Sequence, residues 1–246
     1  MGHESSFISQ PTNWPSLINK SELFVAFGGL PLKNSQVTSG GLSRHLQKKY
    51  MYEALRSGIK FINVSPIRSD IGEGLESEWV GLTPNTDVAF MLGLAFTIVS
   101  EDLQDNSFLQ KHCIGFDKVK DYLFGHSDGI EKTAEWASSI CGVSADTIVK
   151  LARKMADKRT ILSASWSLTR QDHGEQSYWM LITLAALLGQ IGLPGGGFAF
   201  GYAAENKVGV SGSSLRLSRL PQGINPISSF IPVARISDML LSLIHI

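Results

Sequence analysis

Six side chains, spread over four short loops, carry the chemistry this sequence can offer: Lys33, Arg170, Ser65, Ser167, Asp87 and Trp166. The two cations supply positive charge and donors for phosphate oxygens, the guanidinium in a forked geometry. Serine hydroxyls bond ribose or phosphate oxygens. An ionised Asp87 only accepts, which suits a base that presents two neighbouring N–H groups, as guanine does. The indole of Trp166 is a flat face on which a ring system can lie. With Asn34, Val64, Asn85 and Thr86 beside them, these residues describe a nucleotide site with a guanine preference. Taken singly, each has a commoner role: a solvated loop lysine, a core tryptophan at a strand end, or a helix cap at Asn85-Thr86-Asp87.

What brings such loops together is a parallel sheet. Leu23-Phe24-Val25-Ala26-Phe27 and Phe61-Ile62-Asn63-Val64, the latter opened by Lys60, read as strands buried on both faces. Thr160 to Ser165 reads as the third. Between them lie helical stretches: a short one opened by Asn13-Trp14-Pro15, then Gln47 to Ser57, Val88 to Ile98, Asp102 to Lys111, Ala134 to Ile140, Ala145 to Asp157 and Tyr178 to Leu188. Strands alternating with helices predict an α/β, Rossmann-like parallel sheet with helices on both faces. In such a sheet ligands sit at the carboxyl ends of the strands, where Lys33-Asn34, Val64-Ser65, Asn85-Thr86-Asp87 and Trp166-Ser167 with Arg170 all fall.

Composition narrows the partners. Lysine plus arginine (22) balances aspartate plus glutamate (22), so neither nucleic acid nor an anionic membrane is indicated, and an anionic ligand needs locally placed donors. Cys113 and Cys141 form neither a metal spacing nor a disulfide framework. Asp172, His173 and Glu175 resemble an acid–base cluster, but charges at a helix start more often cap it or oppose its dipole. From Ser177 to Asn206 the only charge is Glu205. The unbroken apolar part is only about 11 residues, far short of the roughly 20 that span a bilayer, so no transmembrane segment is expected. No P-loop, GxSxG elbow or strand-borne dinucleotide fingerprint occurs. The chain opens without a secretory signal pattern, and neither end reads as a natural terminus.

One long stretch resembles a known family. WSLTRQDHGEQSYWMLITLAALLGQIGLPGGGFAFG, from Trp166 to Gly201, is similar to the signature of molybdopterin oxidoreductases of the dimethyl sulfoxide reductase family, S-/N-oxide branch. Collinear matches cover Thr12 to Pro15, Pro31 to Gln36, Pro84 to Val88, His173 to Gln176, Gly189 to Phe198 and Ile231 to Arg235. The resemblance implies a bis(molybdopterin guanine dinucleotide) cofactor with one molybdenum. It implies oxygen-atom removal from a small S-oxide or N-oxide: trimethylamine-N-oxide, dimethyl sulfoxide or biotin sulfoxide. It also implies an external electron donor, a cytochrome or other reductant. Lys33, Asn34, Val64, Ser65, Asn85, Thr86, Asp87, Trp166, Ser167 and Arg170 stand at cofactor-contacting positions. Two depart from the family pattern: an aspartate is frequent where Ser65 stands, and a glutamine where Asn85 stands.

The family's molybdenum-ligating serine would lie upstream of Met1, so neither a catalytic residue nor a metal ligand is expected in this chain, which would be inactive alone. The expected organisation is a partial cofactor-binding α/β domain of a larger multidomain molybdoenzyme over 1–204, then an extended loop and the start of a helix over 205–240. A tail over 241–246 reads as translated sequencing adaptor. The periplasm is the first compartment implied, the cytoplasm the second. The competing expectation is a stand-alone nucleotide-binding α/β module without redox activity.

Overall fold

The computed structural model describes residues 11–37 and 44–210, together with 218, 220, 221 and 223–228. The chain divides into two compact units, Met1–Ser211 and Gly212–Ile246, and every element described here belongs to the first. The helix expected from Ile231 and the tail at 241–246 lie outside the described residues.

Five parallel strands form one sheet: β1 (Leu23–Phe27), β2 (Lys60–Val64), β3 (Ser77–Val80), β4 (Thr160–Ala164) and β5 (Gly197–Phe200), in the order β3-β2-β1-β4-β5. The register aligns Val80, Val64, Phe27, Ala164 and Phe200 as one row across the carboxyl edge. Successive strand residues alternate between the sheet's two faces, which separates the core into two layers. Leu23, Val25, Phe27, Ile62, Val64, Leu162 and Ala164 pack with α3 (Asp87–Ser100), α6 (Ala134–Cys141), α7 (Ala145–Asp157) and α8 (Glu175–Leu187). Phe24, Ala26, Phe61, Ile161 and Ala199 pack with α1 (Trp14–Lys20), α2 (Gln47–Arg56) and Tyr202, Ala203 and Val208. Two shorter helices, α4 (Asn106–His112) and α5 (Phe116–Leu123), connect α3 to α6. Among the described residues no helix is long and apolar enough to cross a membrane.

Local chemistry explains the boundaries. Asn13 caps α1 by accepting from the Ser16 N–H at 2.9 Å, and Pro15 occupies an early position where its missing N–H costs nothing. Ser144 caps α7 at Thr147 N (3.2 Å), and Thr133 caps α6 at Trp136 N (3.1 Å). β1, β2 and β4 fall where the sequence placed them, β4 one residue shorter at its end. Helix α3 starts one residue earlier and runs two further than expected, and the helix expected from Asp102 begins only at Asn106, because Asp105 is the cap and accepts from Phe108 N.

Three elements were not anticipated. β3 and β5 are four-residue edge strands: β3 exposes Glu78 and Trp79, and β5 is a short apolar stretch directly after a run of glycines. Helix α5 is a short amphipathic turn of chain opened by Gly115 rather than by a capping side chain. The stretch after Gly201, read as an extended loop, begins as consecutive turns buried against the sheet. Gln47 holds them there: its amide accepts from the Trp14 indole N–H (2.7 Å) and donates to the Val208 and Asn206 carbonyls.

Candidate functional site

All strands being parallel, the loops leaving β1, β2, β3 and β4 emerge at the same edge. β1 connects toward β2 on one side, and β4 lies on its other side, so the order of strands reverses between β1 and β4. Such a reversal opens the crevice in which α/β sheets bind ligands. At this point Gly28 (φ +78°) and Gly29 (φ +86°) follow β1 in left-handed backbone. A Cβ on Gly28 would lie 2.9 Å from Ser165 Cβ, and one on Gly29 would overlap Asp70. Only glycine permits both the backbone and this close approach of three loops.

Lys33 and Asn34 lie on the short 3-10 helix Leu32–Gln36 after these glycines, both exposed. Lys33 Nζ is 3.8 Å from the Asp70 carboxylate, in the loop after β2. Val64 is the last residue of β2. Its side chain belongs to the core and its carbonyl accepts from Gly28 N (2.8 Å), so it frames the edge without presenting a polar group. Ser65 is buried; its Oγ accepts from Ile67 N (3.2 Å) and its carbonyl from the Trp79 indole N–H (2.9 Å).

Asn85-Thr86-Asp87 does not act as a side-chain cap. Thr86 holds the cap position of α3 without a capping bond, and its hydroxyl donates instead to the Thr83 carbonyl (2.6 Å). Asn85 adopts φ +66°, a conformation asparagine tolerates better than most residues, and so turns the chain into α3. Asp87, the first helical residue, is 3% exposed. Burial pushes its carboxyl above the ordinary aspartate range; its own N–H and the Gln171 amide pull it down by less.

After β4, the 3-10 helix Trp166–Arg170 carries the remaining residues. Ser165 accepts from Ser167 N (3.3 Å), and the two hydroxyls lie 2.9 Å apart, with Ser167 exposed. Trp166 is half-buried and touches both core layers, its indole laid against Gly201 so closely that a Cβ there would overlap it. Arg170 is exposed and lies near Tyr178. The Tyr178 phenol donates to the Ser165 carbonyl (3.0 Å), and burial pushes it up to about 12, partly opposed by Arg170. It therefore remains a hydrogen-bond donor throughout the physiological range.

Asp172, His173 and Glu175 are exposed at the start of α8. His173 stands 3.9 Å from each carboxylate, all three side chains are strongly exposed, and α8 starts at Gly174 without a side-chain cap. Three contributors were missed in the sequence: Gln171, which reaches Asp87; Asp70, which pairs with Lys33; and Tyr178, which braces Ser165. Gln171 and Asp70 carried no signal beyond membership of loops that follow strands, and Tyr178 none beyond its place in a helix. Two hollows of about 350 and 250 Å³ lie elsewhere, lined by Glu22, Lys158, Arg159, Lys60 and neighbours around the amino ends of the strands.

With this geometry established, likeness to known proteins becomes decisive. A sequence description of the family "Molybdopterin oxidoreductase" matches residues 4–231. The chain belongs to this family. It is 40% identical over 242 residues to a biotin sulfoxide reductase of Cereibacter sphaeroides, covering 98% of this chain and 32% of that protein. It is 44% identical to a dimethyl sulfoxide/trimethylamine N-oxide reductase of Rhodobacter capsulatus, covering 94% of this chain and 29% of that one. A trimethylamine-N-oxide reductase of Haemophilus influenzae is 40% identical, with coverages of 94% and 29%. The chain thus spans about a third of the length of these curated relatives. Among solved structures, acetylene hydratase from Pelobacter acetylenicus matches with a TM-score of 0.53 and 26% identity, over 70% of this chain and 22% of that one. Family membership implies a molybdenum–molybdopterin cofactor.

Proposed function

We propose that this chain is part of a molybdenum-dependent reductase that removes oxygen from S-oxides or N-oxides, and that its carboxyl-edge loops hold guanine dinucleotide arms of a bis(molybdopterin guanine dinucleotide) cofactor. Support for the substrate class comes from the relatives, which are reductases of biotin sulfoxide, dimethyl sulfoxide or trimethylamine N-oxide. Support for the dinucleotide comes chiefly from one observation: Asp87, buried at the start of α3 with its carboxyl raised by burial. A buried carboxylate is costly unless donors compensate it. A base presenting two adjacent N–H groups to Asp87 supplies that compensation, which adenine cannot do in the same orientation.

When bound, the cofactor supplies the redox metal and the oxygen exchange, while the chain supplies binding, orientation and charge. Lys33 and Arg170, both exposed at this edge, neutralise pyrophosphate charge. Ser167 offers an exposed hydroxyl, paired with that of Ser165, and Trp166 one half-buried ring face, braced from behind by Gly201. Ser65, whose Oγ already accepts from Ile67, contributes its remaining hydroxyl proton to a ribose oxygen. Asn34, Asn85 and Thr86 complete the lining, and Val64 its floor. The left-handed Gly28–Gly29 turn lets backbone approach a phosphate without a Cβ in the way. An external electron donor and a periplasmic location belong to the same reading.

The test is Asp87→Asn in the full-length protein. Losing a charge-assisted bond to the base costs about 1.5–3 kcal/mol, or roughly ten- to a hundredfold in cofactor affinity. Molybdenum and guanine nucleotide content should both fall; unchanged content in this variant would contradict the assignment.

A further inference from the structure

Asn63 is a polar residue where the sheet calls for an apolar one. It stands in β2, whose residues after Lys60 are all buried, between the apolar Ile62 and Val64, and is 0% exposed. Its side-chain amide donates to the Arg68 carbonyl (3.2 Å). Only the nitrogen can do so, which fixes the orientation of the group and leaves the oxygen as its other end. Among the described residues Oδ1 has no hydrogen-bond partner, and a buried carbonyl oxygen without a donor is destabilising.

The next residue on the same face is Ser65. Its N–H donates to the Val80 carbonyl (3.2 Å), which carries the extended backbone one residue past β2. Side chains two apart on such a backbone share a face, with about 7 Å between their Cα atoms. Ser65 is buried as well, and its Oγ accepts from Ile67 N (3.2 Å), so its proton is the function still unused. On the neighbouring strand Ala26 stands beside Asn63 and takes up little room. On the other side Trp79, 42% exposed on the edge strand, donates its indole N–H to the Ser65 carbonyl (2.9 Å). A buried acceptor and a buried donor thus follow one another toward the carboxyl edge.

We infer that Asn63 Oδ1 and the Ser65 hydroxyl together hold one hydroxyl group of the ligand bound at this edge, Ser65 donating to its oxygen and Asn63 accepting its proton. A hydroxyl serves both partners at once. A phosphate oxygen brings no proton for Asn63, and an ammonium brings no lone pair for Ser65. The inference rests on the nucleotide reading above, in which the group is a ribose hydroxyl of guanosine, and it gives a strand residue, Asn63, a part in recognising the sugar.

Calorimetric binding of guanosine monophosphate and of its dideoxyribose analogue to cofactor-free, full-length protein tests this. The parent should bind the ribonucleotide about tenfold more tightly, the worth of one or two hydrogen bonds. Asn63→Leu, of similar volume, should lose most of that preference while binding the dideoxy analogue as the parent does. Asn63→Val, which suits a strand, is the second variant and should show the same loss. A purely structural role would weaken both nucleotides alike and keep the preference, which would overturn the inference. A parent that binds the two equally would also overturn it, because the pair then holds water rather than a sugar. A folded parent that binds neither would overturn the guanosine reading itself, and the inference with it.

Discussion

The side-chain amide of Gln171, one residue past the short helix that follows β4, lies near the carboxylate of Asp87, the first residue of α3, and opposes the burial that raises its titration. The loop after β3 sets out from the far edge of the sheet, yet it delivers Asp87 beside the loop after β4. Gln171 also reaches toward Ser177 Oγ (3.4 Å), on the first turn of α8. The carboxylate is therefore aimed by a neighbour held between two elements, while burial keeps its charge expensive. Such an arrangement stores binding capacity for donors at the cost of stability.

That cost has a definite pH signature. Asp87 titrates above 3.8 in the folded chain, so between 3.8 and its raised value the folded state binds more protons than the unfolded state. Stability contributed at this site therefore falls as pH rises through that window and is lowest above it. Asp87→Asn in cofactor-free, full-length protein should raise the melting temperature at neutral pH, with the gain shrinking as pH falls toward 3.8. Thermal melts across pH check this, and a variant that is destabilised at neutral pH would show that the carboxylate is compensated by partners already in place.

Gln171→Leu removes the donor that holds the carboxyl down and should raise the Asp87 titration further. A single neutral-to-charged hydrogen bond is worth about 1.5–3 kcal/mol. Cofactor loading should fall, while Gln171→Asn, with a shorter reach, should not restore it. Carbon-detected NMR titration of Asp87, compared with molybdenum content, separates a positioning role from general loss of structure.

The glycine turn after β1 gives a stability test. Gly29→Ala should destabilise more than Gly58→Ala, although both residues sit at positive φ (+86° and +100°), because a Cβ on Gly29 overlaps Asp70 and one on Gly58 meets open space. The shared backbone strain amounts to about 1–2 kcal/mol. Urea unfolding of the two variants measures the difference, and equal losses would mean that Asp70 yields without cost.

Lys33→Gln and Arg170→Gln should leave the cofactor-free protein within about 0.5 kcal/mol of the parent, since both side chains are exposed. Loading of the double variant should be impaired and should depend less on ionic strength than that of the parent, because the charges that salt screens are gone. Molybdenum content that is the same in parent and double variant would remove these residues from the site.

The central sheet was legible because its strands are buried on both faces: β1 is an unbroken apolar run, and β2 and β4 are short, mostly apolar runs interrupted inside only by Asn63 and Ser163. The edge strands were not: Ser77–Val80 alternates weakly around Glu78, and Gly197–Phe200 begins with a glycine at positive φ. Loops that follow buried strands in a parallel sheet must share an edge, which is why Lys33, Ser65, Asp87 and Arg170 could be grouped without coordinates. How those loops interlock was beyond the sequence. The approach of Gln171 to Asp87 and the ion pair of Lys33 with Asp70 bring together residues far apart in the chain, and side-chain type alone carries no record of such pairings. Burial of Ser65 depends in the same way on Trp79, a residue of an edge strand that had not been recognised.

The central claim, that these loops hold a molybdenum guanine dinucleotide, is met most directly by metal and nucleotide analysis of the full-length protein purified under anaerobic conditions. The account predicts molybdenum bound in stoichiometric amount, with guanine nucleotide released on denaturation at two per metal and no adenine nucleotide. A folded full-length protein with no molybdenum, or one that releases adenine or cytosine nucleotides instead of guanine, would contradict it.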